Sequence, residues 1–188
     1  MPVLIPFGKG PLWASRGDLV YTGTGEAPEI RVHDRLKGLV RIIRWNADAQ
    51  PVTAADKALY ESTRGQLEGK FGTETAADFA ALNEFDVPSY KPHFSRIFAD
   101  DDGYLWVRKY PRNWEGFERI FGTEFNIGDS EWWLFAPDGQ LLGLRTTPAR
   151  FTLHAIRNDT AVVSDHGNAE VFVSPVRRGV QSPATVNK

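Results

Sequence analysis

The sequence predicts an all-β chain built from about three four-stranded antiparallel units with helical insertions, and three observations carry that expectation. The first is Glu131-Trp-Trp-Leu-Phe-Ala-Pro-Asp-Gly-Gln-Leu-Leu-Gly-Leu-Arg145, which reads as strand, tight turn, strand. Asp138-Gly139 is a hairpin signal, because a two-residue type I′ turn needs positive φ and these residues tolerate it. The second is an internal repeat. Ala14-Ser-Arg-Gly-Asp-Leu-Val-Tyr21, Ala99-Asp-Asp-Asp-Gly-Tyr-Leu-Trp106 and Ala155-Ile-Arg-Asn-Asp-Thr-Ala-Val162 each set an alanine and a short polar turn ahead of an apolar strand. Each is followed by an echo that starts with glutamate: Glu29-Ile-Arg-Val32, Glu131-Trp-Trp-Leu134 and Glu170-Val-Phe-Val173. The spacing from Ala14 to Glu29 equals that from Ala155 to Glu170, and the longer spacing from Ala99 to Glu131 is explained by an insertion within residues 111–130. The third is an aromatic content of six Trp, twelve Phe and five Tyr, residue types that pack well on pleated surfaces.

In the first unit the strands are expected at about Leu12–Ser15, Asp18–Gly23, Glu29–Asp34 and Leu39–Trp45. In the second they fall at about Phe94–Ala99, Tyr104–Tyr110, Glu131–Ala136 and Leu141–Thr146. The third has Phe151–Ile156, Thr160–Ser164 and Glu170–Ser174, then runs into Pro175 and a tail without a hairpin turn, so its fourth strand is missing. The organisation is therefore a first unit over 1–46, a helical insertion over 47–92, and a second unit over 93–148 with its own insertion at 111–130. An incomplete third unit over 149–177 and a tail over 178–188 complete the chain.

The first insertion does not read as strand. Thr53-Ala-Ala-Asp56 has the spacing of a capping box, which satisfies orphan N–H groups at a helix start, and Ala54 to Leu67 then reads as helix. Thr75-Ala-Ala-Asp78 opens a second helix to about Phe85, with Phe79, Leu82 and Phe85 along one face. Val87-Pro88 and Lys91-Pro92 end it. In the second insertion Trp114, Phe117, Ile120 and Phe121 have the spacing of one short amphipathic helix.

A chain of 188 residues with 41% apolar and 24% charged residues is of ordinary globular composition and long enough for one real core. A formal charge of −2 gives no global basic field to attract nucleic acid or an anionic membrane, so neither is expected as a partner. The absence of cysteine excludes disulfides and thiolate metal sites. Met1-Pro-Val-Leu-Ile-Pro-Phe-Gly8 has no basic n-region, and Pro6 breaks its apolar run, so it reads neither as a signal peptide nor as a membrane span. The chain as written is expected in the cytoplasm, or exported if cut from a longer precursor.

Four-stranded sheets repeated in series are the blades of a β-propeller; the competing architecture is an ordinary sandwich. Ile5-Pro-Phe7, Glu29-Ile-Arg-Val-His-Asp34, Leu39-Val-Arg-Ile-Ile-Arg44, Pro51-Val-Thr53, Phe94-Ser-Arg96, Asp101-Asp-Gly-Tyr-Leu-Trp-Val-Arg108 and Phe135-Ala-Pro-Asp-Gly139 resemble the C-terminal half of bacterial six-bladed β-propeller proteins of the NHL-like kind. The resemblance runs from about Ile5 to Arg177. It implies a fold and a polar helical segment after the arginine-rich strand, and it transfers no catalytic motif. Propellers close with four to eight blades, and an open set exposes apolar sheet faces that soluble domains avoid. Self-association is therefore expected, two chains closing one six-bladed ring, with Val3–Pro6 of one supplying the missing strand of the other. The alternative is a chain that is a fragment.

Candidate sites each have a plainer explanation beside them. Asp100, Asp101 and Asp102 before Gly103 can offer oxygen ligands to Ca²⁺, the one cofactor the sequence suggests. Turn chemistry explains the same residues, and the alternating ligand spacing of a calcium loop is absent. His93, Arg96 and His154 sit at or near first strands, which line the channel of a propeller, and can converge on a ligand there as metal ligands or a general base. The alternative is ordinary paired or exposed side chains. Trp114, with Phe117 and Phe121, can stack on a flat ligand or simply pack an insertion helix. Trp132-Trp133 must put one ring on each sheet face. Arg31, Arg41 and Arg44 form a basic cluster better explained as a solvated, charge-protected outer strand than as a nucleic-acid reader.

The chain contains no G-x-S-x-G, P-loop, H-E-x-x-H or glycine-rich dinucleotide motif. The expected function is a non-enzymatic module binding a small molecule or protein through the ring face, the channel or the insertion helices. The competing reading is a six-bladed-propeller hydrolase or lyase with a metal in the channel.

Overall fold

A computed structural model describes residues 7–58, 61, 87–111, 129–149, 151–165 and 170–176. Eleven strands in these residues form three antiparallel sheets, each a simple meander. The first contains β1 (Leu12–Arg16), β2 (Leu19–Gly23), β3 (Glu29–Asp34) and β4 (Gly38–Arg44) in that order. The second contains β5 (Phe94–Ala99), β6 (Leu105–Lys109), β7 (Ser130–Phe135) and β8 (Leu141–Thr147). The third has three strands, β9 (Phe151–Arg157), β10 (Thr160–Asp165) and β11 (Glu170–Pro175). Every expected strand is present, and β3 and β5 have the bounds read from the sequence.

The turns follow from their residues, with one correction. Asp138-Gly139 does not make a two-residue type I′ turn. Phe135 pairs with Leu141, Ala136 N–H donates to the Gln140 carbonyl at 2.8 Å, and Gly139 N–H donates to the Ala136 carbonyl at 2.8 Å, leaving Pro137-Asp138-Gly139 as a three-residue loop. Proline fixes φ near −65°, so the turn begins in the right-handed region and only Gly139, at φ +90°, reverses it. The type I′ pattern occurs instead at Asn158-Asp159, both at positive φ, between the paired residues Arg157 and Thr160.

The repeat extends to the irregularities. In the first sheet His33 pairs with Leu39 and Val32 with Arg41, so Val40 is bulged out. In the second, Phe135 pairs with Leu141 and Leu134 with Gly143, bulging Leu142 at the equivalent place.

The sheets stack in series through two cores. Tyr21, Ile30, Val32, Ile43 and Trp45 of the first sheet meet Phe94, Ile97, Leu105, Val107, Trp133 and Phe135 of the second. The opposite face of the second sheet presents Trp106, Trp132 and Leu134 to Leu153, Ile156, Ala161 and Val163 of the third. Alternation along Leu105-Trp-Val107 and Trp132-Trp-Leu-Phe135 thus feeds both cores, and the two adjacent tryptophans point to opposite faces as the sequence requires. Among the described residues no core cluster joins the first sheet to the third.

Polar clasps tie the sheets at their turns. Arg16 donates to the Asp101 carbonyl at 3.0 and 2.7 Å, and Arg41 donates to the Pro137 carbonyl at 2.6 Å. Arg31 and Arg44 clasp Glu29 at 3.0 and 2.8 Å. The basic cluster of the first sheet is therefore used within the fold.

Of the first insertion, residues 54–58 are helical, and the capping box at its start forms. Thr53 N–H and Oγ1 both donate to Asp56 Oδ2 at 2.8 Å, and Asp56 N–H donates to Thr53 Oγ1 at 3.2 Å. The remainder of that helix beyond Glu61, the helix expected at 75–85, the one around Trp114, the Val3–Pro6 segment and the tail lie outside the described residues.

Candidate functional site

A cleft of about 660 Å³ lies beside the first core, between the segment 46–53 and the ends of the second sheet. Its first wall leaves β4 at Trp45 and runs as Asn46 to Thr53. That wall is pinned by backbone bonds: Val52 N–H donates to the Ser89 carbonyl at 2.9 Å, and Lys91 N–H to the Gln50 carbonyl at 2.8 Å. Below it, Lys91 Nζ lies 2.7 Å from Asp56 Oδ1, both side chains buried. A buried pair of this kind holds only when its remaining oxygens and protons are also bonded, and the Thr53 donors to Asp56 meet that need. Burial raises the Asp56 pKa, but the bonds from Lys91 and Thr53 outweigh it and hold the carboxyl below its ordinary value.

The second wall is His93, Lys109 and Trp133. His93 precedes β5 and is fixed by its backbone: its N–H donates to the Gly25 carbonyl at 2.7 Å, and its carbonyl accepts from Tyr110 at 3.1 Å. Burial, with the Lys9 charge adding to it, pushes the imidazole pKa below its ordinary value. The ring is therefore neutral at pH 7, one nitrogen a donor and the other an acceptor. Lys109 Nζ sits 2.6 Å from Glu131 Oε2 and 5.7 Å from the centre of the Trp133 ring. The cleft thus combines amide, hydroxyl and imidazole groups with an ammonium whose charge is shared with a carboxylate and an aromatic face.

The residues singled out in the sequence do not converge. His93 lines this cleft. Arg96 follows the bulge at Ser95 and pairs across to Arg108, on the sheet face that Trp106 shares. With Arg108, Ser130, Trp132 and Thr152 it lines a separate hollow of about 10 Å³ toward the third sheet. His154 is the bulged residue of β9, exposed, with a ring nitrogen 2.8 Å from Ser164 Oγ. Trp114 lies outside the described residues. Lys109, Asn46 and Gln50 carry no motif and sequence reasoning passed over them, while Thr53 was read only as a capping residue; the folding of 46–53 against the sheet brings them together.

At the Asp100–Gly103 turn the donors fit a turn and not a cation. Asp100 Oδ1 accepts from Asp102 N–H at 3.1 Å and Tyr104 N–H at 2.9 Å, and Oδ2 accepts from the Trp106 indole at 3.1 Å. Asp101 reaches Arg157 at 3.2 Å. N–H donors already occupy both Asp100 oxygens, and the Arg157 guanidinium faces Asp101, where Ca²⁺ would need free carboxylate oxygens. Among the described residues no three His, Asp or Glu side chains gather as metal ligands.

The acid limit of stability follows from these carboxylates. Asp56, Glu29 and Asp34 all have folded pKa values below their ordinary ones. The Glu29 value is lowered first by the bond from Arg31 and then by that from Arg44, and the Asp34 value by the Leu36 and Lys37 amides. A depressed folded pKa gives stability that is complete above the unfolded value of about 4 and is lost as pH falls through the folded value. Urea unfolding measured from pH 7 to pH 2.5 should therefore show stability dropping below about pH 4, with a shallower drop in Asp56→Asn. A variant with an unchanged slope would show that Asp56 contributes nothing to the acid limit.

No protein-family model matches the chain, and no curated protein matches it in sequence.

Proposed function

We propose that this chain is a non-enzymatic binding module made of propeller-type blades, and that it takes a small polar ligand in the cleft between the 46–53 segment and the second sheet. The observation that carries this reading is the cleft's construction. Its volume of about 660 Å³ falls in the range of small-molecule sites, and its walls are fixed by backbone bonds and by the buried Lys91–Asp56 pair. Its groups are mixed donors and acceptors of balanced charge around Trp133, which suits a polyhydroxylated or zwitterionic ligand better than a strongly charged one. The bulge repeated at Val40 and Leu142 supports treating the sheets as copies of one blade. The hydrolase or lyase reading has no observation in its favour among the described residues.

The test is a titration with a panel of mono- and disaccharides, amino acids and small carboxylic acids, followed by tryptophan fluorescence. A binder is expected whose signal disappears in Lys109→Met and in His93→Ala but persists in His154→Ala. A panel with no binder, or binding indifferent to Lys109 and His93, would overturn the assignment of the cleft.

A further inference from the structure

The second sheet meets the third through one face, its forward face, and a polar row crosses it. Arg96 pairs with Arg108, Arg108 with Trp132 and Trp132 with Arg145, so three arginines and an indole share one line from β5 to β8. Ser130, two residues before Trp132 on β7, stands on the same face. Among the described residues, two protons on this face have no acceptor. The Trp132 indole nitrogen is buried without a hydrogen-bond partner, in a side chain 2% exposed. Ser130 is 8% exposed, and its Oγ accepts from Arg108 Nε at 3.1 Å and Nη2 at 2.8 Å. A hydroxyl oxygen has two lone pairs. With both taken by Arg108, Ser130 can act further only as a donor. Ser130 and Trp132 line the same hollow of about 10 Å³, together with Arg96, Arg108 and the hydroxyl-bearing Thr147 and Thr152.

We propose that this hollow is a binding site for one monatomic anion of the size of chloride, held at the junction of the second and third sheets. The volume admits about one water-sized sphere, which excludes a carboxylate, phosphate or sulfate group. The choice between water and anion follows from the walls. A buried water makes about three hydrogen bonds. After accepting from Trp132 and Ser130 it must donate in turn, and the described lining side chains offer it only the Thr147 and Thr152 hydroxyls. An anion accepts from every donor and has no proton to place, and charge-assisted bonds are the stronger ones. No described lining residue is acidic; Asp165, buried on β10, is not among them. The arginine row supplies the positive field that offsets the cost of stripping an ion of its water. The site lies on the opposite face of the second sheet from the cleft, since Trp132 lines one and Trp133 the other, so it stands independently of the cleft's ligand.

The experiment is thermal unfolding in sodium chloride and in sodium gluconate at equal ionic strength, with chloride NMR line widths measured as the protein is added. Gluconate is too large for the hollow and controls for screening. Chloride is expected to raise the unfolding midpoint of the wild type, and at about ten times its dissociation constant to lower the unfolding equilibrium constant about 10-fold. The protein should also broaden the chloride line. Trp132→Phe and Ser130→Ala each remove one of the two donors and leave Arg108 in place. In gluconate Trp132→Phe should unfold close to the wild-type midpoint, because the donor it lacks has no acceptor there. In both variants the rise in chloride and the broadening should disappear. His154→Ala, exposed on the third sheet, should keep both. Because the readout is the difference between two salts, a variant destabilised in both still reports on the site. Equal wild-type midpoints in the two salts would mean that the hollow takes water or nothing. A chloride response that survives both substitutions would put the ion elsewhere. Either result overturns the site.

Discussion

Trp132→Ala is expected to cost about 4 kcal/mol of folding stability, the range for truncating a fully buried large aromatic. Trp132 is 2% exposed and sits on the forward face of the second sheet, against Leu153, Ile156, Ala161 and Val163. Truncation removes the wedge between second and third sheets, and the surrounding strands, held by their ladders, cannot collapse to fill it. The loss should be local before it is global. Hydrogen exchange is expected to speed up first in residues 151–165, whereas Trp133→Ala, one residue along but on the other face, should first loosen residues 21–45. Trp132→Phe is a sharper probe. The Trp132 indole N–H is buried without an acceptor among the described residues, so phenylalanine sheds an unsatisfied donor while losing part of the ring. Its cost is expected to stay below about 1.5 kcal/mol. A Phe variant as damaged as the Ala variant would mean that the indole nitrogen makes a bond worth keeping.

The contrast between those neighbouring tryptophans was legible in the sequence, and so was most of the architecture. Period-two alternation assigns Trp132 and Trp133 to opposite faces, and apolar runs such as Leu105-Trp-Val107 mark a sheet covered on both sides. The repeat spacing located the strands. Local backbone choices were less readable. At Pro137-Asp-Gly139 the dipeptide Asp-Gly suggested one turn, but the proline before it fixed another. The bulges at Val40, Leu142, Ser95 and His154 have no sequence mark, because an extra residue in one strand is set by pairing with a distant partner. Those bulges moved the candidate site. The one at Ser95 separates Arg96 from His93, and the one in β9 puts His154 at the surface, so three residues that look alike by position serve three environments. The cleft itself depends on a non-repetitive segment pinned by backbone bonds, which side-chain patterns do not report.

Asp100→Ala is expected to cost about 3 kcal/mol, although the residue sits in a turn and lies beside two more aspartates. Surface turn carboxylates usually matter little, but Asp100 is 1% exposed, and its two oxygens accept three N–H groups, including the buried Trp106 indole. Alanine leaves those donors without an acceptor, and unsatisfied buried donors cost about 1–3 kcal/mol each before relaxation shares the loss. The turn also transmits the damage. Its Asp101 carbonyl accepts Arg16 from the first sheet, and its Asp101 N–H lies 3.4 Å from the Ile156 carbonyl of the third. A displaced turn therefore loosens both sheet junctions together. Asp101→Ala is the matched control. It removes only the exposed pair with Arg157 and keeps every backbone bond, so its cost should stay within about 0.5 kcal/mol. Asp100→Asn should fall between the two, since one oxygen remains but the amide NH₂ must face either the indole or the backbone donors. Urea unfolding of the three variants ranks them. Equal costs for Asp100→Ala and Asp101→Ala would mean that water replaces the carboxylate, and that the sheets are held by their apolar faces alone.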